Sequence, residues 1–327
     1  MFTVSHYKTP TLIKTLLNSD TLSEIEENIL STLAYFDLFS YPLNRGEIYL
    51  FLPVKCDINS FNYALNSLVN EQHIYRFEKF YSLRNDHCLI ERRNKGNKHA
   101  AELMITAGKV CSLLARFPYV RGIGISGSLS KNFADESADI DLFIITAKNR
   151  LWVARTLMHA FKKLTYLFNK QDYFCMNYYI DEQSLEIPDK NIYTATEVVT
   201  LIPMQGDVQF VDFFAANAWC RNFLPNNVMR ISRAKAEPRT WLKVIIEKML
   251  NNKFGNWLDD RLWQMTSGRW EKKTALKKRN IKGQVMAMET GKHFAKPDPG
   301  GFQNKLMSRY RLRLANVIKE NHHSLAN

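Results

Sequence analysis

Apolar residues recur three and four positions apart through Ile25, Ile29, Leu33 and Phe36, the spacing of one helical face. Ser23 followed by Glu26 is the pair that satisfies free amides at a helix start, so the first helix is predicted to begin there. Pro42 follows. Asn44 with Glu47 then repeats the capping signal ahead of a short helix over 48–52. A third helix is predicted over 59–70, burying Phe61, Leu65, Leu68 and Val69. Residues 73–78 and 79–84 read as two short strands joined tightly. A long helix over 91–116 starts polar, at Arg92-Arg93-Asn94-Lys95. It continues apolar through Leu103, Ala107, Val110, Leu113 and Leu114, and Phe117-Pro118 stops it.

The pattern then changes period. Residues 119–126 read as a buried strand that ends at Gly127-Ser128. A short helix over 129–133 and a polar turn at Asp135, Glu136 and Ser137 lead to a second strand, 139–146. Side chains alternate across a strand, so Asp139 and Asp141 share one face while Ile140 and Leu142 share the other. Helices are predicted over 150–167, 193–201, 210–224 and through 238–279, and a third core strand over 173–180. The resulting reading is α+β: a mixed sheet with flanking helices at 119–229, preceded by a small domain at 1–90 and a connecting helix at 91–118, and followed by a helical region at 230–327.

Composition narrows the class. The chain has 327 residues, ordinary apolar content and five scattered cysteines with no CxxC pair. Reduced thiols in a cytoplasm are the simplest expectation. No apolar run is long enough for a membrane span, and no secretory leader is evident. Charge is unevenly spread. Residues 1–229 carry 23 Lys/Arg against 24 Asp/Glu, whereas residues 230–327 carry 22 against 8. Such an excess suits a polyanionic partner or a solvated helical face.

The three helices and hairpin of 1–90 resemble a winged helix-turn-helix domain. Residues 59–72 contain no Lys or Arg, so specific DNA binding is not expected. A structural or protein-contact role fits better.

The chemistry concentrates at Gly127, Ser128, Asp139 and Asp141. Two carboxylates on one strand face repel unless a cation joins them, and Mg²⁺ prefers carboxylate oxygens together with substrate phosphates. Gly127 permits close backbone approach to a phosphate. Ser128 can donate its hydroxyl and amide to a phosphate oxygen at a helix start. Gly127-Ser128, ten residues, then Asp139-Ile140-Asp141 resembles the signature of the DNA polymerase β-type nucleotidyltransferase superfamily, over about residues 119–181. The resemblance implies transfer of a nucleoside monophosphate from a nucleoside triphosphate to an acceptor hydroxyl. It implies Mg²⁺ or Mn²⁺ at Asp139 and Asp141, nucleotide contacts at Gly127 and Ser128, and a third carboxylate on a later strand.

Strand 173–180 has no acid in its middle. Asn177 is its best-placed polar residue and the weak candidate metal ligand there, with Asp172 and Asp181 at the flanks. Asn132 stands where many relatives have glycine, and asparagine tolerates the left-handed conformation. Lys131 is a candidate triphosphate contact and Arg155 a weaker one. His159 is isolated and expected to be structural. The acceptor is not legible. A polyanion is expected to meet Lys272, Lys273, Lys277, Lys278 and Arg279 on the cleft side. The alternative function is a catalytically degenerate protein of this fold, acting as a nucleic-acid-binding or regulatory module.

Overall fold

The computed structural model describes residues 22–136, 138–165, 175–229, 232–279, 283, 285, 287–297 and 301–324. It is a mixed α+β molecule with two sheets. Helix α1 (Glu24–Asp37) opens with the expected reciprocal cap: the Glu26 amide donates to Ser23 Oγ, and the Ser23 amide to Glu26 Oε2 at 2.7 Å. Asn44 and Glu47 do the same for α2 (Arg45–Leu50). Helix α3 (Ile58–Asn70) buries Phe61, Leu65 and Leu68 against α1. The predicted hairpin forms β2 (Tyr75–Phe77) and β3 (Phe80–Ser82). A third strand unseen in the sequence, β1 (Leu43–Asn44), pairs with β3.

Helix α4 (Cys88–Leu114) joins this unit to the main sheet. Its polar start is not a solvated face. Arg93 is 2% exposed, donates to Pro42 O at 2.9 Å and Glu47 at 2.7 Å, and lies over the Tyr41 ring. A buried guanidinium needs this full set of partners, and they lock α4 onto the first unit.

The main sheet has six strands in the order β7-β4-β5-β6-β9-β8. Strands β4 (Val120–Ile125) and β5 (Asp141–Thr146) are antiparallel, and β5 and β6 (Cys175–Asp181) are parallel. One face carries Ile123, Ile125, Leu142 and Ile144, closed by α4 and α5 (Leu151–Thr165) around Trp152 and Met158. The other carries Phe143, Ile145 and Ile180, packed on α6 (Ile192–Thr200) and α7 (Asp207–Ala216). Phe210 of α7 lies against β4 where Gly124 leaves room. A Cβ there would sit 2.9 Å from its ring.

Three strands of the main sheet were not anticipated. The edge strand β7 (Ile202–Gln205) contains Pro203, a residue that edge strands tolerate. The region after residue 230, expected to be helical, has α8 (Trp241–Leu250) and α9 (Lys253–Ala275). It then adds β8 (Met288–Thr290) and β9 (Phe294–Pro297) to the sheet beside β6. Helix α10 (Phe302–Ser324) returns to α1. Tyr310 Oη meets Ser31 Oγ at 2.6 Å, and Arg313 pairs with Asp37 at 2.9 Å.

Candidate active site

The end of β4 and the start of β5 lie side by side, with the Ser126 amide donating to Asp141 O at 2.9 Å. Gly127 follows at φ +66°, in the left-handed region. A Cβ at that position would also overlap Asp141 Oδ2, so the carboxylate occupies the space a side chain would take. After exposed Ser128 the chain makes a single 3-10 turn, Leu129–Lys131, closed by Asn132 at φ 58°, ψ 42°. That is the left-handed role expected of Asn132. The expected short helix over 129–133 is only this turn, so its dipole is small.

Strand β5 begins at Asp141. Asp139 sits on the lead-in segment, half-buried, with fully buried Ile140 between the two acids. The Asp141 carboxyl is pushed up to about 6. Burial is the main cause, the negative charges of Asp139 and Glu197 add to it, and a Cys175 hydrogen bond and the Lys131 charge oppose it.

Asn177 reaches the same place through a bulge. The β5–β6 register pairs Leu142 with Met176 but Phe143 with Tyr178, leaving Asn177 as the extra residue. Bulges re-aim side chains, and Asn177 Nδ2 donates to Asp141 Oδ1 at 3.1 Å. It therefore holds the carboxylate through its amide N–H, whereas a metal ligand would present the amide oxygen.

Ser126, Gly127, Ser128, Lys131, Asp141 and Asn177 line a cavity of about 660 Å³. Asp139 is not among its lining residues. Lys131 Nζ bridges Gly127 O at 3.1 Å and Glu197 Oε1 at 2.8 Å. Tyr41 Oη donates to Lys131 O, so the first unit grips this turn directly. Other walls come from distant parts of the chain. Tyr35, Phe36 and Phe39 come from α1 and the residues after it, Tyr193 and Glu197 from α6, and Lys296 and Phe302 from the C-terminal part. Arg92 stands at another wall, paired with Asp135 at 3.0 Å. Lys296 pairs with Asp189 at 2.7 Å.

Glu197, paired with Lys131 on the cavity wall, has no mark in the sequence. It sits in the middle of an apolar helix, and nothing in its local spacing relates it to Lys131. Several other expectations do not converge here. Arg155 packs over the Trp152 and Tyr179 rings, on the sheet face opposite the cavity. Asp181 is fully buried at the far end of β6, bonded to the Asn149 amide and to His293 Nδ1 at 2.8 Å. Asp172 lies outside the described residues. His159 lies on α5, its buried Nε2 has no hydrogen-bond partner among the described residues, and burial pulls its pKa down to about 3. None of Lys272, Lys273, Lys277, Lys278 and Arg279 lines the cavity. They lie in the last turn of α9 and just after it, and α9 packs on α5 and therefore against the closed face.

Among the described residues, no three His, Cys, Asp or Glu side chains are grouped to hold a metal ion. No described helix is long and apolar enough to cross a membrane. The described cysteines are free thiols. Comparison with protein-family models, with curated proteins and with solved structures found no match.

Proposed function

We propose that this chain is a nucleotidyltransferase that moves a nucleoside monophosphate from a nucleoside triphosphate to an acceptor held in the cavity. In this reading the sheet of 119–229 is of the nucleotidyltransferase type, and residues 24–82 form a winged-helix-like unit used as a cavity wall. The observation that carries the reading is the contact between Gly127 and Asp141. The glycine backbone, at positive φ, lies against a carboxylate whose ionisation burial opposes. An ordinary strand start has no use for that arrangement.

The donor set suits Mg²⁺ or Mn²⁺. Asp139 and Asp141 offer hard carboxylate oxygens, and burial, with the charge of Asp139 added to it, raises Asp141, a cost a divalent cation offsets. When bound, such an ion would neutralise phosphate charge and favour the ionised acceptor oxygen. The chain's own groups do the rest. Gly127 and Ser128 approach the phosphates with backbone amides and a hydroxyl. Lys131 brings a cation to the cavity floor. Asn177 fixes the Asp141 carboxylate. Glu197, which lines the cavity, takes the part of the third acid missing from β6 and accepts the acceptor's proton. The aromatic walls exclude water and suit a flat or apolar group.

A second reading keeps nucleotide binding without turnover. It is favoured by one observation, the amide at Asn177 in place of an acid. Pyrophosphate release from each nucleoside triphosphate with Mg²⁺ or Mn²⁺, measured beside nucleotide binding, separates the two. Turnover is expected, and Glu197→Gln should lower it about a hundredfold while binding persists. Binding with no pyrophosphate from any acceptor mixture would leave the regulatory reading.

A further inference from the structure

Helix α8 turns two charged side chains toward the protein and a row of apolar ones away from it. Lys243, 2% exposed, points inward and donates to Ala115 O at 3.0 Å and Val120 O at 2.6 Å, and it pairs with Glu237 at 2.8 Å. Glu247 also points inward, accepting from the Tyr119 amide at 2.6 Å and from Arg121 at 2.8 Å. The outward side carries Trp241 (75% exposed), Leu242, Val244, Ile245 and Met249 (67% exposed). The next helix follows α8 after two residues and adds further exposed apolar side chains. Phe254 and Trp257 at the start of α9 are more than half exposed, their rings stacked 5.5 Å apart. Scattered exposed apolar residues are ordinary, but a contiguous group across a helical hairpin marks a surface that meets something other than water.

The charges around the group say what it meets. Arg239, Lys248, Lys253 and Arg261 are exposed around the apolar residues. Most carboxylates of the same stretch are engaged: Glu237 and Glu247 are in the inward pairs, Asp259 is buried, and the half-exposed Asp260 is paired with Lys292 at 3.1 Å, which leaves Glu271 exposed beside Lys272. Helical periodicity carries the Phe254 side of α9 onward through Arg261 to Lys272, into the lysine cluster. We propose that the α8–α9 hairpin docks this protein on a lipid bilayer bearing anionic headgroups. Trp241, Ile245, Met249 and Trp257 enter the boundary between headgroups and acyl chains, and the surrounding Lys and Arg meet lipid phosphates. Exposed tryptophan, aliphatic residues and an excess of cations over exposed acids are the composition of an interfacial helix. A nucleic acid would use the cations but leave the aliphatic residues in water.

The placement fits. Leu250 and Leu258 pack with Tyr119 and Ala147, at the strand ends opposite Ser126 and Asp141. A bilayer against the hairpin therefore leaves the cavity open. This inference does not depend on what the cavity binds.

The test is sedimentation of the full chain with phosphatidylcholine vesicles, with and without phosphatidylglycerol. Binding is expected only with phosphatidylglycerol, with a blue shift of tryptophan emission. Ile245→Asp with Met249→Asp should weaken binding about tenfold or more. Both side chains are about half exposed or more, so melting temperature should be unchanged. Lys248→Glu with Lys253→Glu should weaken binding and flatten its salt dependence. Three outcomes would overturn the proposal. They are no sedimentation with phosphatidylglycerol, equal binding by the Asp double variant, and a wild-type dimer in light scattering that this variant dissociates.

Discussion

The two faces of the main sheet differ in how they are finished. On the Leu142 and Ile144 face, α4 and α5 close a continuous apolar layer around Trp152, which is fully buried. On the Phe143 and Ile145 face, α6 and α7 cover only part of the sheet, and the strand ends open into the cavity. The same strand serves both, because alternation sends Leu142 to one side and Asp141 to the other. The closed face supplies stability. The open face holds a desolvated carboxylate, which works against stability. A group that the fold tolerates at such a cost is a functional candidate.

The contrast can be broken by substitutions that mix these roles. The largest effect is expected from Asp139→Asn and Asp141→Asn. Each should cut pyrophosphate release about a thousandfold and leave the fold intact by circular dichroism. Full activity in the double variant would reject the open face as the reaction centre. On the closed face, Trp152→Ala should cost about 3–5 kcal/mol of stability in denaturant titration. Enough folded protein should then still bind nucleotide with wild-type affinity. A large affinity loss at unchanged stability would show that the two faces are not separate.

The proton on Asp141 sharpens the comparison further. Its carboxyl titrates near 6 in the fold, against an ordinary 3.8. The folded state therefore keeps this proton longer than the unfolded chain does. Its contribution to stability is full below the lower value and is lost as pH rises through the upper one, amounting to about 3 kcal/mol. Asp141→Asn cannot lose that proton and should raise the melting temperature at neutral pH. A lowered melting temperature there would mean the ionised carboxylate is well held. The smallest effect is expected at the lysine cluster. Reversing Lys272, Lys273, Lys277, Lys278 and Arg279 should change nucleotide affinity by less than about twofold, because none of them lines the cavity. A steep loss would bring that cluster back to the cleft.

What could be read from the sequence was local. Ser23 with Glu26, and Asn44 with Glu47, name both members of a capping pair within four residues, and both pairs form. Asp139, Ile140 and Asp141 announce their alternation in three residues. Contacts between distant segments left no such mark. Glu197 meets Lys131 only after α6 packs on the sheet. Strands β8 and β9 are too short to show a period, and only the exposed flank of β6 gives them a place to pair. Arg92 and Arg93 look like solvent-facing charge in the chain, yet they join two parts of the molecule. The inward charges of α8 were hidden for the same reason. Its Lys243 is satisfied by carbonyls more than a hundred residues earlier.

The return of α10 to α1 has a consequence for biosynthesis. Walls of the cavity are drawn from Tyr35 near one end of the described chain and from Phe302 near the other. Strand β9, which carries Lys296, must also join β6 before that wall exists. A chain emerging from the ribosome can fold its first helices early, since their caps and core are local. It cannot enclose a ligand until residues beyond 302 have left the exit tunnel. Ribosome-bound fragments should therefore carry a folded amino-terminal unit and a sheet with an unguarded edge, and no working cavity.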